Sequence, residues 1–191
     1  MDREQKVRIG EWFFRYRDYT PIPLIILLLI IGDPSVFSST LGLLVIVIGE
    51  LFRIYSVGFI GTVSRTRSES TGQRLVVRGP FAYVRNPLYV GNFFISMGFA
   101  IFAASPILIG LTALLFAVQY YFIVRYEETI LTQKFGDDYE KYCRQVPAWF
   151  PSELPSLNKL DWPKEFSSAL KSEKRTLTTI FALLALLVVF S

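Results

Sequence analysis

Residues 87–124 read PLYVGNFFISMGFAIFAASPILIGLTALLFAVQYYFIV, an apolar run without one charged side chain. Its two halves, Pro87 to Ala104 and Ile107 to Val124, are each about 27 Å long at helical rise, close to the thickness of a bilayer's hydrocarbon core. Backbone N–H and C=O groups find no water there, so such segments satisfy one another as helix. Ser105-Pro106 leaves room only for a tight turn between the halves. The stretch therefore reads as a helical hairpin, and the fold as all-α.

Outward from the hairpin, Val36 to Gly61 is a long second block, and Gly42 with Gly49, like Gly91 with Gly98, are seven apart and share a helix face suited to close packing. Glu50 and Arg53 sit one turn apart inside it, close enough to pair. Pro21 to Ile31 covers only about 16 Å, and spans only if its helix begins near Trp12 while Arg15 and Arg17 snorkel to the surface. Leu177 to Phe190, about 21 Å, fits a tilted span, a partial insertion or a helix packed on the bundle. The expectation is a polytopic transmembrane bundle of four to five spans.

Apolar residues make up 52% of the 191, and they come in blocks. That composition marks a membrane protein. The net charge of +4 does not signal nucleic acid: every Lys and Arg except Arg53 falls within 1–20, 62–86 and 125–176, and none in the opposite loops 32–35 and 105–106. By the positive-inside rule the amino terminus and both long connections are cytoplasmic. The basic residues before the first block resemble the front of a signal peptide, yet no small-residue cleavage site follows Ile31, so the segment is expected to be retained. With no histidine and a single cysteine, Cys143, neither a disulfide nor a metal cluster is expected, and chemistry falls to carboxylates, Arg, Lys, Tyr or the backbone.

Two clusters stand where cytoplasmic connections meet spans. In Arg78-Gly79-Pro80-Phe81-Ala82-Tyr83-Val84-Arg85-Asn86-Pro87-Leu88-Tyr89-Val90-Gly91, Gly79-Pro80 makes a turn, and Asn86 reads as an N-cap with Pro87 in first helical position. A helix amino terminus at the membrane surface suits an anionic group; Arg78 and Arg85 suit lipid phosphate or a topological role. In Arg125-Tyr126-Glu127-Glu128, Glu127 lies on the face of Ile123, Ile130 and Leu131, turned toward the bundle, and Glu128 points about 100° away. Phe135-Gly136 stops that helix. Asp137 with Glu140 reads as a capping-box start for a short helix with Tyr139 and Tyr142 on one face, followed by Pro147, Trp149, Phe150 and Pro151, an interfacial lid.

In order and spacing, Gly79-Pro80, Arg85-Asn86-Pro87-Leu88-Tyr89-Val90-Gly91, Glu127-Glu128, Phe135-Gly136, Tyr139, Tyr142 and Val146-Pro147 resemble the integral-membrane methyltransferases that include isoprenylcysteine carboxyl methyltransferase and phosphatidylethanolamine N-methyltransferase. The resemblance covers about 62–151. It divides the chain into an amino-terminal segment with two spans (1–61), a methyltransferase core with the hairpin (62–151), and a linker with a hydrophobic helix (152–191). It implies S-adenosylmethionine held at the cytoplasmic face, by Gln73, Arg74, Leu75, Val76, Phe81, Asn86, Pro87, Leu88, Tyr89 and Glu127, with no metal. It implies a lipid or lipid-linked acceptor met by Arg125, with Glu128 or Glu127 as base if the acceptor is an amine. It also implies a cell membrane of bacterial or archaeal type, or the endoplasmic reticulum. Where the family often carries His and Tyr, this chain has Asn86 and Phe81, so Asn86 binds or caps but cannot act as a base. A membrane reductase using NADPH on a sterol or other lipid, and a non-catalytic scaffold, are the competing readings.

Overall fold

The computed structural model describes residues 2–60, 74–153, 161–163 and 166–190, and all the regular structure among them is helical. Helix α1 (Arg3–Tyr16) opens on a capping box in which Asp2 accepts from the Gln5 N–H and the Gln5 side chain accepts from the Asp2 N–H. Turns over 17–21 then break the chain before α2 (Ile22–Ile31). The expectation of one helix running from Trp12 into the first apolar block is therefore corrected. Pro21 and Pro23 lack the N–H groups a continuous helix would use, and their rings crowd the preceding turn.

Instead, α1 lies along α5 (Pro106–Phe135). Gly10 meets the Phe122 carbonyl closely, the rings of Phe13 and Phe122 stack, and Thr20 donates to Gln119 at 2.8 Å. Helices α3 (Val36–Ile60) and α4 (Pro87–Phe102) pack antiparallel through their glycines, Gly42 against Gly98 and Gly49 against Gly91. A Cβ on Gly49 would stand 2.8 Å from the Gly91 carbonyl oxygen, and one on Gly42 2.6 Å from that of Gly98. The hairpin turns through Ala104 (φ 58°), with Ser105 before Pro106, as the sequence leads one to expect.

Helices α3 and α5 are each long and apolar enough to cross a bilayer. At thirty residues α5 is about 45 Å long, well beyond a hydrocarbon core of about 30 Å, and its last turns form an overhang. Gly136 ends it at φ 51° and immediately precedes α6 (Asp137–Gln145). The capping box expected from Asp137 is not formed: Asp137 is already inside the helix, Gly136 takes the cap position, and no side chain caps it. A short helix the sequence reading did not anticipate, α7 (Phe166–Ser172), precedes α8 (Lys174–Val189). Ile180 and Leu187 of α8 join Leu28, Ile46, Phe99 and Leu108 in the main apolar core.

The Glu50–Arg53 pair forms, 3.5 Å apart, and Arg53 also reaches Glu173 at 2.9 Å, which fastens the start of α8 to α3.

Candidate active site

The overhang of α5, the first turn of α4, the 3-10 turn Gly79–Ala82 and α6 surround a cavity of about 180 Å³. Arg74, Leu75, Val76 and Ile60 form one wall. Phe81 and the run from Arg85 to Tyr89 form the second, and Glu127, Glu128, Leu131, Tyr139 and Tyr142 the third.

Long-range hydrogen bonds hold these walls together. The Arg85 backbone N–H donates to Pro147 O at 2.9 Å, and its guanidinium donates to Cys143 O at 3.0 Å, Val146 O at 2.9 Å and Glu128 Oε1 at 2.6 Å. Burial opposes the charge on Arg85, but the hydrogen bond and charge of Glu128 outweigh it and leave the guanidinium more firmly protonated than usual. The Tyr142 hydroxyl donates to Phe81 O at 2.7 Å, and burial pushes that phenol well above its ordinary range, so it remains a donor. The segment from α6 to Ala148 is thus fastened to the loop before α4 through Arg85 and Phe81, and its Tyr139, Tyr142 and Val146 bury against Leu75, Leu131 and Phe135.

Where α4 and α5 border the cavity, the Tyr89 hydroxyl donates to Glu127 Oε2 at 2.8 Å, joining the two helices. Asn86 occupies the cap position of α4 without capping it; its amide donates instead to Ala148 O at 3.1 Å. This corrects the cap reading. Tyr89 and Val90 N–H groups reach the Asn86 carbonyl, Pro87 has none, and the Leu88 N–H has no acceptor among the described residues. Serine, a good cap, is too short for Ala148, so Asn86→Ser and Asn86→Leu should each lower stability by about 1 kcal/mol, measurable as equal shifts in thermal melting. A tolerated serine with a damaging leucine would restore the cap.

Of the residues singled out from the sequence, Arg74, Leu75, Val76, Phe81, Asn86, Pro87, Leu88, Tyr89, Glu127 and Glu128 all line this one cavity. Gln73 lies outside the described residues. Arg125 is not brought to the cavity: two residues along a helix is about 200° of rotation from Glu127, and its exposed guanidinium sits 3.7 Å from Glu128 Oε2 and 5.6 Å from the Tyr121 ring centre. Glu128, expected to point elsewhere than Glu127, still borders the cavity because Arg85 and α6 cover that flank. The reading missed Arg85, Tyr139, Tyr142, Leu131 and Ile60 as lining residues. The shared face of Tyr139 and Tyr142, and Leu131 one turn beyond Glu127, were the signals available.

Fold and site together define a helical protein of the membrane whose cavity, at the foot of one helix and under the overhang of another, sets two carboxylates among apolar, aromatic and arginine side chains. The sequence pattern of the phospholipid methyltransferase family matches residues 37–138, and the chain belongs to that family. It is 29% identical to the nickel-cobalt-cadmium resistance protein NccN of Alcaligenes xylosoxydans xylosoxydans, over 75% of this chain and 64% of the relative. It is 30% identical to the cobalt-zinc-cadmium resistance protein CzcN of Cupriavidus metallidurans, over 59% of this chain and 48% of that one. With the protein-S-isoprenylcysteine O-methyltransferase of Homo sapiens it shares 33% identity over 59% of this chain and 41% of the relative. The matches thus take in roughly half of each relative's length.

Proposed function

We propose that the chain methylates a lipid or lipid-linked acceptor at the cytoplasmic surface of a membrane, with S-adenosylmethionine as donor. The observation that carries this reading is the Tyr89–Glu127 pair at the uncapped start of α4, inside a cavity lined by the residues that the family resemblance assigns to the cofactor. In this reading α2, α3, α4, α5 and α8 make a four- to five-span bundle with the amino terminus and cavity on the cytoplasmic side, in keeping with the distribution of Lys and Arg.

The donor set suits the cofactor. The Leu88 N–H and the buried Arg85 Nε both lack acceptors among the described residues, and they suit its carboxylate. Glu127 suits its ammonium or ribose hydroxyls, and Leu75, Val76 and Phe81 offer apolar surface to a base. When bound, S-adenosylmethionine supplies a methyl group on an electrophilic sulfonium. The chain's own contribution is to align and desolvate the acceptor.

Glu128 is engaged by Arg85 and Arg125, while burial pushes the Glu127 carboxyl up to about 7 despite the Tyr89 hydrogen bond, so Glu127 is the carboxylate poised to take a proton. Both acceptor types fit this arrangement: a carboxylate of the prenylcysteine kind needs no base, and a phospholipid amine would give its proton to Glu127. Arg125, exposed and 3.7 Å from Glu128 outside the cavity, is the candidate contact for an acceptor carboxylate. The two resistance proteins are named for a phenotype rather than a reaction, so they leave the chemistry open.

Calorimetric titration of the detergent-purified protein with S-adenosylhomocysteine and, separately, NADPH tests the reading. S-adenosylhomocysteine should bind and NADPH should not. Glu127→Gln should weaken binding at least about tenfold without lowering the melting temperature, because a charge-assisted hydrogen bond is lost. Binding of NADPH alone would favour the reductase.

A further inference from the structure

Between α3, α4, α5 and α8 lies a polar network that the proposed chemistry does not use. Arg53, on α3, is largely buried. It donates to Asn92 Oδ1 on α4, to Glu173 Oε2 at 2.9 Å and to Thr176 Oγ1 at 3.4 Å, and its Nε stands 3.5 Å from Glu50. A Cβ on Gly91 would collide with Arg53 Cγ, so that glycine makes the room the arginine occupies. The Asn92 amide in turn donates to the Tyr120 hydroxyl on α5 at 3.2 Å.

The order of this chain is fixed by its first member. A guanidinium only donates, so Asn92 must turn its oxygen to Arg53 and its nitrogen to Tyr120, whose hydroxyl must accept. Tyr120 is thereby held from its polar end, while its ring stacks on Phe116 with centres 4.1 Å apart. The other neighbour of that ring is Tyr89, with centres 4.6 Å apart and planes at 54°. Tyr89 is the residue that donates to Glu127. We infer that Arg53, acting through Asn92 and Tyr120, is a positioning residue for the Tyr89–Glu127 pair. Glu173 and Thr176, beyond the stretch that matches the family, tie the carboxy-terminal helix into the same line.

The inference rests on the methyl-donor reading of Glu127, and its test separates the two. Removing Arg53 would break its buried ion pair with Glu173 and risk the fold. Tyr120→Phe keeps the ring and removes only the hydroxyl. In a double-mutant cycle with Tyr89→Phe, read as S-adenosylhomocysteine affinity by calorimetry, Tyr120→Phe should raise Kd about fivefold in the parent and less than about twofold when Tyr89 has lost its hydroxyl. A merely structural role would shift the melting temperature while leaving Kd unchanged, or change Kd equally in both backgrounds. Either result overturns the inference and leaves the methyl-donor reading intact, whereas a parent protein that does not bind removes both.

Discussion

Arg85→Leu should unfasten the lid and cost about 3–5 kcal/mol, because it breaks a largely buried ion pair and strands the Glu128 carboxylate. Three acceptors lose their donor at once: Glu128 Oε1 and the carbonyls of Cys143 and Val146 at the carboxy-terminal end of α6. Arg125, 3.7 Å away and exposed, is too loosely placed to take over. Arg85→Lys keeps the charge but not the fork that serves side chain and backbone together, so it should recover only part of the loss. Limited proteolysis is the direct measurement. Cleavage within 137–150 should accelerate in the leucine variant while the apolar bundle stays protected, and S-adenosylhomocysteine affinity should fall with it. Unchanged proteolysis would mean that the burial of Tyr139, Tyr142 and Val146, with the Tyr142–Phe81 and Asn86–Ala148 hydrogen bonds, is enough to hold the lid.

A comparable loss is expected at the crossing of α3 and α4. A Cβ at position 49 would meet the Gly91 carbonyl oxygen and Phe94 Cβ, both at 2.8 Å, and the first is backbone, which cannot yield without separating the helices. Gly49→Val should therefore destabilise the protein by about 3 kcal/mol or more, the upper range for overpacking. Gly110, in the same kind of apolar helix, has nothing within 4 Å of a would-be Cβ. Gly110→Ala should be neutral or stabilise by up to about 1 kcal/mol through helix propensity alone. Thermal melting of both variants in one detergent checks the pair. Equal effects would show that the glycines serve the helix and not the contact.

What the sequence made legible was whatever local pattern governs. The hairpin around Ser105-Pro106, the glycine faces and the stop at Phe135-Gly136 follow from hydropathy and turn chemistry, and the structure has all three. That the residues around Pro87 and around Glu127 share one cavity was implied by the family resemblance; local pattern shows only that each group begins or leaves an apolar helix. Asn86 was misread for the opposite reason: whether an amide caps its own helix or reaches a carbonyl sixty residues away is decided by tertiary packing. Arg85 likewise looked like a surface cation because its partners lie on two other elements. The break at 17–21 was written in Pro21 and Pro23, but hydropathy alone carries a helix through them.

The overhang of α5 also sets a height. Its uncharged part, Ile107 to Val124, is about 27 Å long, nearly the hydrocarbon thickness, and Glu127 follows only three residues later, about 4–5 Å further along the axis. In the membrane arrangement proposed above, the cavity beside it sits level with the headgroups and not above them. For acceptors anchored in a bilayer, that level is itself a filter. A nucleophile joined to its hydrocarbon anchor by a few bonds arrives at the cavity without leaving the leaflet, while one carried on a long polar stalk overshoots it and must fold back.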